Sequence, residues 1–172
     1  TVFDTGGILF EADPDTGERT TIHTTGGLDP AGLGTDGGNI FMVAGSGGIT
    51  TGDLKTDVVN NDKDSDAGRI RLQTTASGDT EFDNGDINVG SVRVEGGSIT
   101  EISLISAGNL TVNGEVVSIN ASIPNSDNTV FFARICLVAA DNVTVDAKGG
   151  SIKVDAHGKL ETTADILICA GN

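Results

Sequence analysis

Short runs in which apolar and polar residues alternate recur along this chain, among them Ser91-Val92-Arg93-Val94-Glu95, Asn109-Leu110-Thr111-Val112, Asn142-Val143-Thr144-Val145-Asp146 and Ser151-Ile152-Lys153-Val154-Asp155. A period of two places one set of side chains on a dry face and the other in water, which predicts half-buried β-strands. Segments of a second kind are more apolar and begin with an isoleucine: Ile8, Ile40, Ile70, Ile102, Ile135 and Ile166 stand at steps of 32, 30, 32, 33 and 31 residues. A regular step of this length, filled with strands rather than helix pairs, predicts stacked coils that each bury an apolar face on the next. Glycine-containing pairs punctuate the strands at Gly37-Gly38, Gly47-Gly48, Gly52-Asp53, Gly85-Asp86, Gly96-Gly97, Gly108-Asn109 and Gly149-Gly150, and predict corners with positive φ. The expected fold is one all-β domain over residues 1–172, a single-stranded parallel β-helix (β-solenoid) of about five to six coils of roughly 32 residues.

Composition fits that picture. Twenty-five Gly against three Pro, with almost no run of helix-favouring residues, speaks against helices. The apolar residues are mostly Val, Ile, Leu and Ala, with six Phe, one Met and neither Trp nor Tyr, so the core is expected to consist of thin side chains that stack. A net charge of −15 repels phosphate backbones and anionic lipid, which makes nucleic acid a poor partner and favours divalent cations or cationic surfaces. No stretch approaches the about 18 apolar residues of a membrane helix, so no membrane insertion is expected. The first residue is Thr rather than Met and no signal peptide is present, which points to a removed secretion signal and an extracellular or cell-surface location.

At residues 47–54 (Gly-Gly-Ile-Thr-Thr-Gly-Asp-Leu), 84–90 (Asn-Gly-Asp-Ile-Asn-Val-Gly) and 106–112 (Ser-Ala-Gly-Asn-Leu-Thr-Val) the chain resembles the β-helical repeats of filamentous-haemagglutinin-type secreted adhesins. The resemblance covers most of residues 37–172 and implies a right-handed parallel β-helix, export, and a role in adhesion or surface structure. The coil length departs from that family, whose coils are shorter.

Solenoids usually carry an atypical cap, because open sheet edges template aggregation. Here residues 167–172 (Leu-Ile-Cys-Ala-Gly-Asn) stop where earlier copies run on, and the chain opens with Thr1-Val2-Phe3. One copy is expected to complete the coil another leaves unfinished, giving a head-to-tail homopolymer, a filament or surface fibre. The expected interface comprises Thr1, Val2, Phe3, Ile8 and Phe10 at one end and Ile166, Leu167, Ile168, Cys169 and Asn172 at the other. A fragment cut from a longer repeat protein would have the same sticky ends. The alternative function is an adhesin segment that contacts a surface or polysaccharide through its faces or through the loops at 57–67 and 123–129.

Other chemistry is sparse. Asp62, Asp64 and Asp66 alternate before Gly68 as oxygen ligands of a calcium loop do, although the later Glu of such a loop is absent; a solvated acidic loop is the alternative. Residues 13–18 carry a weaker version, equally explained by a β-turn with Pro14 and Gly17. Asn109, Asn120 and Asn142 are glycosylation acceptors by sequence. Asn109, Asn142 and Asn172 share one repeat position, which predicts a stacked asparagine ladder and leaves Asn120 as the candidate glycan site. Cys136 and Cys169 lie in apolar runs and are expected to be buried free thiols, with a disulfide within or between subunits as the alternative. Repeated Thr-Thr pairs (Thr20-Thr21, Thr50-Thr51, Thr74-Thr75, Thr162-Thr163) suit outward strand faces and would also suit a flat ice-binding array. His23 and His157 are far apart in the repeat, there is no nucleophile motif, and sugar-stacking aromatics are missing, so no enzyme is expected.

Overall fold

The computed structural model describes residues 6–27, 30, 36–58, 66–76, 85–120, 131–156 and 162–171. Among these residues there are fifteen strands: β1 (Ile8–Leu9), β2 (Ile22–Gly26), β3 (Ile40–Ala44), β4 (Ile49–Thr50), β5 (Leu54–Val58), β6 (Arg69–Thr74), β7 (Ile87–Val89), β8 (Val92–Glu95), β9 (Ile99–Ser106), β10 (Leu110–Val112), β11 (Val116–Ile119), β12 (Phe131–Ala139), β13 (Val143–Val145), β14 (Ile152–Asp155) and β15 (Thr162–Ala170). Each strand pairs in parallel with the strands three places before and after it. Three sheets result, in the orders β1-β4-β7-β10-β13, β2-β5-β8-β11-β14 and β3-β6-β9-β12-β15. Every three strands the chain passes once through all three sheets, which is an all-β parallel solenoid. No helix occurs among the described residues.

Register explains both the success and the error of the repeat. Ile40, Ile70, Ile102, Ile135 and Ile166 are successive partners in the third sheet, as their spacing predicts. Ile8 is not the sixth member: it stands in the first sheet opposite Ile49. The spacing misassigns it because every sheet presents apolar residues inward at similar intervals. Among the described residues the strands make five passes, of which the three middle ones have neighbours on both sides, so about three coils are enclosed rather than the five to six expected. Among the described residues, each outer pass leaves one edge of all three sheets unpaired.

The core is a set of aliphatic ladders. Behind the isoleucine ladder run Met42, Leu72, Leu104, Leu137 and Ile168, again in register. Ile22, Leu54, Val92, Val116 and Ile152 form the equivalent row of the second sheet. Ile70, Leu72, Ile102, Leu104, Ile135 and Leu137 are fully buried, and no aromatic residue is among the buried core residues described. A β-branched or γ-branched side chain meets its like about 4.8 Å away, so van der Waals contact repeats at every rung.

Corners are closed in two ways. Gly48 (φ 74°) and Gly85 (φ 70°) adopt the left-handed conformation the pairs predict. Gly52 has no positive φ; it is glycine because a Cβ there would lie 2.5 Å from the Arg19 carbonyl oxygen of the preceding pass. The Thr-Thr pairs form no common array, since Thr50 lies in the first sheet, Thr74 is buried in the third, and Thr20 lies between β1 and β2. The 13–18 segment is a turn: Asp13 accepts hydrogen bonds from the amides of Asp15 (2.8 Å) and Thr16 (3.2 Å), and Ala12 bridges Arg19.

The outward face of the second sheet carries a column of His23, Lys55 and Arg93 beside an acidic one, Asp57 and Glu95. Asp57 pairs with Lys55 (2.8 Å) and His23 (3.1 Å) and accepts from the Thr25 hydroxyl at 2.6 Å. Partial burial raises the Asp57 pKa, but hydrogen bonds from Lys55, Thr25 and His23 outweigh it and hold the carboxyl below its ordinary 3.8. A depressed carboxyl stabilises the fold above its unfolded pKa, and that contribution disappears as pH falls through the folded value. Asp57→Asn is therefore expected to be less stable than the wild type at neutral pH, with the difference closing below about pH 3.8; urea unfolding at a series of pH values checks this.

Candidate self-association surfaces

At the corners backbone amides lack strand partners, and side chains of the neighbouring pass supply them. The Asp86 carboxylate accepts from the Asn109 amide at 2.7 Å, Asp53 from Ser91 at 2.7 Å, Asp66 from Ile99 at 3.1 Å, and Asn39 from Arg69 at 2.8 Å. Asn or Asp suits this role because a short side chain with a fixed acceptor reaches one rung and no farther. The predicted asparagine ladder is present: the Asn142 amide donates to Asn109 at 3.0 Å, and Asn109 donates in turn to Asp86 at 3.3 Å. Asp86 is the member that spacing missed; Asn172 lies outside the described residues.

The same device decides several candidate residues. Asp62 and Asp64 lie outside the described residues, so the calcium loop is visible only at Asp66. There one carboxylate oxygen accepts from the Ser98 hydroxyl (2.8 Å) and the Ile99 amide (3.1 Å), so Asp66 serves as a corner cap. Among the described residues no group of three or more His, Cys, Asp or Glu side chains is placed to hold a metal. Asn120 is 1% exposed, and its side-chain nitrogen donates to the carbonyls of Ser98 (2.6 Å) and Phe132 (3.1 Å). The expected glycan at Asn120 is therefore overturned for the folded chain: the nitrogen that would carry it is buried and engaged.

The thiols also depart from expectation. Cys136 is half-buried and Cys169 exposed, both free, because both occupy outward positions of the third sheet. Cys136 pairs with Leu167, and Cys169 with Val138. A two-residue offset between adjacent strands separates the Cα atoms by about 8 Å, beyond disulfide reach. His23 sits beside Asp57; His157 and residues 123–129 lie outside the described residues.

The two end faces differ in how far they expose the inward ladders. At one end Ile166, Leu167 and Ile168 of β15 are 43–49% exposed, although Ile166 and Ile168 occupy the inward ladder. At the other, the inward Ile40 and Ala44 are buried and Ile8 and Met42 half-buried, whereas Leu9, Phe41 and Val43, 52–64% exposed, stand at outward positions; Phe10 is half-buried. Thr1, Val2 and Phe3 lie outside the described residues. Phe41 and Val43 were not singled out from sequence, though alternation in Ile40-Phe41-Met42-Val43-Ala44 places both outward; the Phe41 ring lies 5.7 Å from the Arg71 guanidinium, its neighbour one pass on.

No family model, curated protein or solved structure matches this chain. Its architecture rests on its own register, and its function on the chemistry of its faces.

Proposed function

We propose that this chain is an extracellular structural subunit that stacks head to tail through its solenoid ends into a filament or surface fibre, in the manner of filamentous-haemagglutinin-like β-helices. One observation carries the reading: continuing the observed register past β15 matches all three open edges at once. Ile166, Leu167, Ile168, Cys169 and Ala170 would meet Ile40, Phe41, Met42, Val43 and Ala44 of a second copy. In the second sheet Ile152 and Val154 would meet Ile22 and Thr24, and in the first Val143 would meet Ile8. Inward residues meet inward residues in each case. This join places the β15 segment on β3, not on the Ile8 segment that equal spacing suggested.

A heterologous contact of this kind does not close on itself and so propagates. Sedimentation velocity over a concentration series, with negative-stain microscopy of the same samples, tests it. Mass that grows with concentration and fibres a few nanometres wide are expected; a single monomeric boundary at every concentration overturns it and favours the second reading, an adhesin segment of a larger β-helix.

A further inference from the structure

Between the first and second sheets the corners differ in length. Passes two, three and four turn in two or three residues, at 51–53, 90–91 and 113–115, whereas the first pass uses 10–21 and the last 146–151. The short corners form the floor of a trough of about 650 Å³ parallel to the solenoid axis, and the longer segments close its two ends with Arg19 and Lys148. This volume lies within the range of small-ligand sites. The floor is low because it is made at Gly52, Gly90 and Gly114, where added Cβ atoms would collide with the preceding pass.

We propose that this trough binds a short linear oligosaccharide, a few sugar rings long, through hydrogen bonds to its hydroxyls. Backbone groups of the corners are already engaged between passes: the Thr51 amide donates to Asn88, Gly90 to Gly52, and Asn113 to Val89. An extended peptide would therefore find no free edge. The lining is polar, without an aromatic ring to take up a planar ligand. Two of its three carboxylates are engaged, Asp53 by the Ser91 amide and Glu115 by Arg93, and Glu18 at one end is by itself too little to enclose a bare cation.

What remains free suits hydroxyls. Asn113 donates to the Asn88 side-chain oxygen at 2.7 Å, leaving the Asn88 amide group as a donor and the Asn113 oxygen as an acceptor toward the trough. Ser91 offers its hydroxyl, and Arg19 and Lys148 have no carboxylate partner among the described residues. Donors and acceptors thus stand side by side on passes three and four, with Arg19 and Lys148 at the two ends, an arrangement that suits the hydroxyls of a short chain of sugar rings. The trough belongs to a single copy and does not depend on stacking.

The test is amide NMR of the labelled chain with cellotriose, maltotriose and chitotriose added separately, and with tetra-alanine as a peptide probe. At least one trisaccharide is expected to shift Asn88, Ser91 and Asn113 selectively, and Asn113→Phe, at an exposed position that leaves the core intact, is expected to weaken that binding at least tenfold. Unshifted spectra with all three sugars, shifts that survive Asn113→Phe in a folded variant, or selective shifts with tetra-alanine alone overturn the proposal.

Discussion

The double substitution Ile166→Asp/Ile168→Asp is expected to abolish concentration-dependent association while leaving the monomer folded. Both residues continue inward ladders whose previous members, Ile135 and Leu137, are fully buried, yet each remains nearly half exposed because no strand covers β15. In the isolated chain a carboxylate at either position can stay hydrated, so the thermal midpoint should move little. In a stack both would be sealed against Ile40 and Met42 of the next copy, and an unpaired buried charge costs several kcal/mol. Since about 1.4 kcal/mol is tenfold in affinity, even partial burial weakens the join by more than a hundredfold. Sedimentation velocity reads the loss, and circular dichroism confirms the fold. Undiminished association of a folded double variant would place the contact elsewhere.

The second large effect lies at the centre of the ladders. Leu104 is fully buried between Leu72 and Leu137 in the middle pass, so Leu104→Ala removes contacts to both neighbours and leaves a cavity that rigid flanking strands cannot fill. A loss of about 2–5 kcal/mol is expected, which for a chain of this length lowers the melting temperature by roughly 5–20 °C. Met42→Ala at the half-buried end of the same ladder should cost distinctly less. Denaturant unfolding of the two variants measures the difference; equal costs would mean that stability is not set by enclosure between passes.

How far the sequence foretold this structure differs by element. The all-β solenoid was legible because inward positions repeat both along the strand and from pass to pass, so Ile40, Ile70, Ile102, Ile135 and Ile166 report the third sheet directly. Assignment of Ile8 to that sheet failed because an isoleucine within two residues of a Gly-Gly pair looks the same in β1 as in β3; only pairing with Ile49 separates them. The Asn109–Asn142 ladder was legible as a shared repeat position, whereas Asp86 was hidden by its change of residue type. Asn120 and the two cysteines were misjudged for one reason: a sequon or an apolar neighbourhood does not state which way a side chain points. Alternation does, and it places Cys136 and Cys169 outward and Asn120 within the corner.

The join itself can be trapped. If copies stack in the proposed register, Cys169 of one chain lies directly opposite Val43 of the next, at the roughly 4.8 Å strand spacing, within the range of a disulfide. In a Cys136→Ser background, Val43→Cys is expected to give a ladder of reducible head-to-tail oligomers under mild oxidation, whereas Phe41→Cys, two residues out of register, should yield few. A ladder of equal strength from Phe41→Cys, or monomer and simple dimers alone from Val43→Cys, would contradict the stacking of β15 on β3.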